Sequence, residues 1–209
     1  MTLEANKIFD EYVPRDIHHV QPILMWELEW KTDLLNDPQL ETELAREDIW
    51  VMESHHRNLR GYYDRKSSKF LEKLAYEFTK YKQQFTDMVF DTNKRTIGHY
   101  WAKPKEYYSG HLFMPPIIYK DMPTFDMVPH IDSSHIMIQS IINLVDNGDM
   151  GTEFYYPDSH EPFYKSIGTK GKGGAFLNTH ASIHGIRNIT KPRYILYVPM
   201  FFAYQLETK

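Results

Sequence analysis

The sequence predicts a mainly β domain of sandwich or double-sheet-barrel type with α-helices at its N-terminal end, an α+β arrangement. Three observations carry this. After Ile97, short runs rich in Ile, Val, Tyr and Phe alternate with turn residues. Before it, Gly-poor, charge-dense segments dominate, and one shows clear three- and four-residue apolar spacing. No strand–GxGxxG–helix or Walker-type loop occurs, which leaves a mononucleotide-binding fold without support. The 209 residues are expected to form a single domain, 1–209, with 1–104 as a helical extension and support and 105–209 as the β core.

Taken in order, the first helix expected is an acidic one from Asp37 to Glu53, with Pro38 suited to its first turn. Residues Ser54–Lys66 (SHHRNLRGYYDRK) are polar and turn-rich and read as a surface loop. The clearest helix runs from Ser67 to about Asp87. Phe70, Leu71, Leu74, Phe78 and Tyr81 make its apolar stripe, and Ser67 or Ser68 can cap its start. Strands are expected at Phe113–Tyr119, Met127–Ile131, Ile136–Val145, Thr152–Tyr156, Gly174–Asn178, Ser182–Ile186 and Arg193–Phe202. The Asp146–Asp149 and Thr169–Gly174 segments supply turns between them. Trp26, Trp30, Trp50, Phe70 and Phe78 are expected in the core.

Composition narrows the chemistry. The chain has no Cys, so disulfides, thiolate metal sites and a Cys nucleophile are excluded. The formal charge is −4 and the pI about 6.2, which disfavours nucleic acid as a partner. No apolar run is long enough for a membrane span, and MTLEANKIFDEY lacks the build of a signal peptide. A cytoplasmic location is the expectation.

Eleven His residues carry the functional argument. His130 and Asp132 stand two apart in an expected strand. Period two places both on one face, roughly 7 Å apart along the backbone. His184, also on an expected strand, can supply a third ligand. Two His and one carboxylate leave positions open on an octahedral metal, an arrangement suited to Fe(II). An isolated H-x-D is common by chance, but Arg193 follows His184 by nine residues and opens the apolar stretch RYILYVPMFF. A buried Arg needs an anion. A structural Asp or Glu would serve, and so would a ligand carboxylate held bidentately.

The order H-x-D, about fifty residues, H-G-I, nine residues, R resembles the prolyl-hydroxylase-like branch of the Fe(II)/2-oxoglutarate-dependent oxygenase superfamily. Ile141–Leu144 (IINL), Gly151–Phe154 (GTEF) and Gly171–Phe176 (GKGGAF) are similar to landmarks of that family between the two motifs. The similarity covers roughly residues 110–203. It implies a double-stranded β-helix core, of the jelly-roll or cupin-like kind, with helices packed on one sheet. It also implies hydroxylation by a dioxygenase, with 2-oxoglutarate as co-substrate decarboxylated to succinate and O₂ consumed. Carried over, His130, Asp132 and His184 would hold the iron and Arg193 the far carboxylate of 2-oxoglutarate. Tyr119 and Asn143 would add hydrogen bonds. Arg193 lacks the family's R-x-S or R-x-T hydroxyl, because Tyr194 and Ile195 follow it. Asp132 is intact, unlike the small residue of related halogenases.

Two other classes compete. His130, Asp132 and His135 also read as H-x-D-x-x-H, a pattern of some zinc hydrolases. His135 would need a turn at Ser133-Ser134 to join the other two. A non-catalytic jelly-roll binding module is the third reading. His180 rivals His184 as distal ligand. His18-His19 and His55-His56 read as surface pairs. Arg57, Arg60, Arg65 and Lys66, with Tyr62 and Tyr63, read as a solvated basic loop. The primary substrate is open: a free amino acid, a peptide, a small metabolite or a nucleobase, the last disfavoured by the acidic charge. Ser54–Lys66, Tyr107–Met114 and Pro157–Lys172 are the expected lid loops.

Overall fold

The computed structural model describes residues 1–14, 20–81, 83–84, 87, 112–113, 115–133 and 136–201. The strands are β1 (Thr2–Pro14), β2 (Val20–Lys31), β3 (Trp50–Met52), β4 (Arg60–Tyr63), β5 (Leu112–Phe113), β6 (Ile117–Asp121), β7 (Met127–His130), β8 (Ile136–Asn143), β9 (Glu153–Tyr155), β10 (Pro162–Lys165), β11 (Lys172–Leu177), β12 (Ile183–Ile186) and β13 (Arg193–Phe201). The helices are α1 (Asp33–Asn36), α2 (Gln39–Leu44) and α3 (Lys69–Phe78).

The strands form two antiparallel sheets. The larger runs β1-β2-β11-β8-β13-β6-β4-β3, with β5 pairing the far end of β13; the smaller runs β10-β9-β12-β7. The mainly β, jelly-roll-like class expected from the sequence is therefore found. The expected N-terminal helices are not: the chain opens on the long β1–β2 hairpin. The signal lies in Trp26-Glu-Leu-Glu-Trp30, a strict alternation that buries Trp26, Leu28 and Trp30 on one face.

Three smaller corrections follow. The acidic helix is only α2, with Pro38 at its N-cap, and the chain then returns to the sheet as β3. Residues 54–66 are not a plain loop: a 3-10 turn at Ser54–His56 leads into β4, which pairs β6. The stretch 157–172 contains β10. Helix α3 begins where expected, the Ser68 hydroxyl accepting from Leu71 N at 3.1 Å; after Phe78 it tightens to a 3-10 turn, Thr79–Tyr81, and the described residues Gln83, Gln84 and Asp87 beyond it are again helical. Of the expected lid Tyr107–Met114, only Leu112–Phe113 is described.

One face of the large sheet packs on the helices. Leu71, Leu74 and Phe78 of α3 meet Trp30, Ile138, Ile142, Leu196 and Val198 in a single buried cluster. The opposite face looks across a cavity to the small sheet. Period two sorts β13 between the two sides: Leu196, Val198 and Met200 join the helix-side core, while Arg193, Ile195 and Tyr197 line the cavity. No helix among the described residues is long and apolar enough to cross a membrane.

Candidate metal and anion site

The cavity has a volume of about 480 Å³. The small sheet supplies one wall. There His130 on β7 and His184 on β12 are direct cross-strand partners, with ring centroids 4.6 Å apart. Gly185 allows this. A Cβ there would lie 2.6 Å from the Met127 carbonyl oxygen, so only glycine lets β12 sit this close to β7. Asp132 lies just past the end of β7, and one ligand atom from each of His130, Asp132 and His184 falls within 4.8 Å of the others.

Both rings are oriented by backbone. His130 Nδ1 donates to Val128 O at 2.9 Å and His184 Nδ1 to Ser182 O at 3.0 Å. Each Nε2 therefore points at Asp132: His130 Nε2 is 3.1 Å from Oδ1, His184 Nε2 3.7 Å from Oδ2. Burial pushes the His184 imidazole down to about 4, which keeps it neutral with a free lone pair. The hydrogen bond to Asp132 raises His130 despite its burial. Burial alone would raise Asp132, but the two imidazoles outweigh it and hold the carboxyl below its usual range. Neutral imidazole and ionised carboxylate, with their second nitrogens tied to carbonyls, are the donor set that a divalent transition metal takes.

The large sheet supplies the other wall and a buried charge row. Arg193, Asp121 and Arg60 sit directly opposite one another on β13, β6 and β4. Arg193 Nη1 donates to Asp121 Oδ2 at 2.8 Å. Arg60 grips the same carboxylate with Nε at 2.6 Å and Nη2 at 3.1 Å. Desolvation opposes ionisation of Asp121, yet the two guanidiniums hold its carboxyl below the usual range. Two cations and one anion leave one positive charge over. Arg193 is only 2% exposed, and its Nε has no hydrogen-bond partner. Its Nη2 donates to Thr152 Oγ1 at 3.2 Å. Thr152 thus places beside Arg193 the hydroxyl missing from the R-x-S position.

Not every expected residue is here. Tyr119 lines the cavity under the Arg60 guanidinium, 4.7 Å from its ring centroid. Asn143 does not line it; the Asn143 amide donates to the Ile167 and Lys172 carbonyls at 2.9 and 2.8 Å, tying down the chain before β11. His180 is exposed and off the cavity, whereas His184 lines it. His135 lies outside the described residues. Sequence reasoning missed Arg60, Asp121, Thr152, Gln139 and Tyr197, all but Asp121 lining the cavity. Gln139 is fully buried at the cavity wall, and its amide is among the groups that help hold the Asp132 carboxyl down. Only alternation on β8 and β13 could have pointed to Gln139 and Tyr197.

No protein-family model and no curated protein sequence matches the chain. Among solved structures it is similar to a prolyl-4-hydroxylase from Pseudomonas putida, at 13% identity and a TM-score of 0.53, covering 86% of this chain and 92% of that one. It is also similar to a prolyl hydroxylase from Trichoplax adhaerens in complex with a hypoxia inducible factor oxygen degradation domain peptide fragment. That match has 12% identity and a TM-score of 0.57, covering 85% and 83% of the two chains. The fold is that of the prolyl hydroxylases. Within this prolyl-hydroxylase fold, the His-Asp-His group and the arginine row face one shared cavity.

Proposed function

We propose that the chain is an Fe(II)- and 2-oxoglutarate-dependent dioxygenase that hydroxylates an organic substrate and releases succinate and CO₂. The observation that carries this is the pairing, in one cavity, of a His-Asp-His set with a buried site of net positive charge. Metal ligands alone would suit many reactions. A carboxylate receptor beside them matches a dicarboxylate co-substrate that must reach the metal and be anchored at its far end. In this reading the whole chain, 1–209, is one domain, because β2 pairs β11 and β4 pairs β6 across the two halves.

The residues present fit Fe(II) and a dicarboxylate such as 2-oxoglutarate. His130, Asp132 and His184 would hold Fe(II), where O₂ would be the oxidant and 2-oxoglutarate the two-electron co-reductant. His130 must first give up the proton it shares with Asp132, so binding is proton-linked. Arg193 binds the far carboxylate through its uncommitted Nε edge, with the Thr152 hydroxyl beside it. Tyr119 and Gln139 offer further hydrogen bonds. Asn143 instead serves as a support for the turn behind the site. Ile141, Ile186 and Ile195 line the same cavity and keep bulk water from its walls.

Succinate release on incubation with Fe(II), 2-oxoglutarate and ascorbate tests this reading. Uncoupled turnover is expected even without the primary substrate, and its loss in Asp132→Ala. Hydrolysis of an ester or phosphoester with stoichiometric Zn(II), and no succinate, would favour the hydrolase class.

A further inference from the structure

A second group of metal-type donors stands at the rim of the same cavity. Glu53, His55 and His56 bring one ligand atom each within 4.8 Å of one another. Glu53 Oε2 is 4.0 Å from His55 Nε2 and 3.8 Å from His56 Nε2. Neighbouring histidines usually diverge, but this 3-10 turn brings the two rings to a centroid distance of 4.1 Å.

The turn is built to hold them. Glu53 N donates to Arg60 O at 2.8 Å, closing the β3–β4 hairpin, and the Glu53 carbonyl accepts from His56 N and Asn58 N at 3.1 Å each. Arg57 and Asn58 then take left-handed conformations, at φ 54° and 59°, to turn the chain back into β4. The His56 ring stands edge-on to the buried Phe125 ring at 5.5 Å. Glu53 and His56 are partly buried, and both histidines line the cavity mouth.

We propose that Glu53, His55 and His56 form a second divalent-metal site at the cavity mouth, of the Zn(II), Ni(II) or Cu(II) class. Two imidazoles and one carboxylate suit those ions. Donors at about 2.0–2.2 Å from a tetrahedral ion lie roughly 3.4 Å apart, so a small rotation of the exposed His55 closes the set. Three protein donors leave the fourth position for water or a ligand atom. The rim site is independent of the inner triad, because it shares no residue with it.

Equilibrium dialysis of the untagged full chain against Zn(II), with metal analysis, tests this. Wild type is expected to bind two ions. His130→Ala/His184→Ala and His55→Ala/His56→Ala should each bind one, and Glu53→Gln should weaken the rim site at least tenfold. His55 is 68% exposed on its side chain, so His55→Ala alone keeps the test clear of misfolding. If His55→Ala and Glu53→Gln retain wild-type stoichiometry and affinity, the rim site is overturned. One ion in wild type, lost with His55→Ala but kept in His130→Ala/His184→Ala, upholds the rim site and instead removes the inner one.

Discussion

Asp121 accepts a 2.8 Å hydrogen bond from Arg193 Nη1 across directly opposed positions of β6 and β13, with neither side chain more than 2% exposed. The same carboxylate is held by Arg60. Asp121 is therefore what makes two buried guanidiniums tolerable. Asp121→Asn removes the countercharge and keeps the shape. Breaking such a group should cost about 3–5 kcal/mol of stability. Urea unfolding measures it, and a loss below about 1 kcal/mol would mean that the row is not electrostatically held.

The Thr152 hydroxyl accepts from Arg193 Nη2, which leaves its own proton to donate to a bound carboxylate. Thr152→Val preserves volume and removes that donor. The dissociation constant for 2-oxoglutarate, measured anaerobically, should rise about tenfold, the equivalent of roughly 1.4 kcal/mol. Metal affinity should stay as in wild type. Equal weakening of metal and co-substrate would show a general distortion instead.

Gly185 lets β12 approach β7. In Gly185→Ala the new methyl would press on the Met127 carbonyl, with Pro129 N at 3.2 Å and Val128 C at 3.3 Å. All three are backbone atoms, so the strands must part and the His130–His184 pair must open. Stability should fall by about 1–3 kcal/mol. Metal affinity should fall at least tenfold, a larger effect than at any glycine outside the site. Isothermal titration with Co(II) reads this, and unchanged affinity would show that the strand spacing is not what sets the ligand pair.

Acid should weaken the metal-free protein through His184. Unfolded, its imidazole takes a proton near pH 6.5; folded, burial delays this to about pH 4. Between those values the unfolded chain binds the extra proton, so stability falls as pH drops. The contribution is about 3 kcal/mol over the window. His130 is shifted the other way, and its contribution is complete below pH 6.5 and fades as pH rises through its raised folded value. Asp132 is held below its ordinary 3.8, so its contribution persists above that and is lost in stronger acid. Urea unfolding of wild type and His184→Gln at pH 7 and 4.5 isolates the effect. Parallel slopes would show that His184 is not held neutral.

The legible parts of this molecule are those with short-range signatures. Apart from β10, the strands from Ile136 onward follow their alternation and turn residues closely, and His130, Asp132, His184 and Arg193 do converge on one cavity. What escaped depends on long-range register. Asp121 becomes the partner of Arg193 only because β6 pairs β13, and Arg60 joins them only because β4 pairs β6. From the chain alone Arg60 belongs to a basic, turn-rich stretch, and nothing local reveals that its guanidinium packs between Tyr119 and Phe125. The β1–β2 hairpin escaped for a different reason. Its charged residues suggested a helical support, although Glu27 and Glu29 alternate with the buried Trp26, Leu28 and Trp30 as a strand requires.

The most direct test is anaerobic titration of Fe(II)-loaded protein with 2-oxoglutarate, read by visible absorption, in wild type and Arg193→Met. A 2-oxoglutarate oxygenase should develop a charge-transfer band in wild type. Arg193→Met should need far more co-substrate, a loss of about 2–5 kcal/mol. It should still fold, because Asp121 keeps both Arg60 hydrogen bonds, and should still bind Fe(II) alone, because Arg193 is not a ligand. No band in folded, Fe(II)-loaded wild type, or an unchanged dissociation constant in folded Arg193→Met, would contradict the assignment.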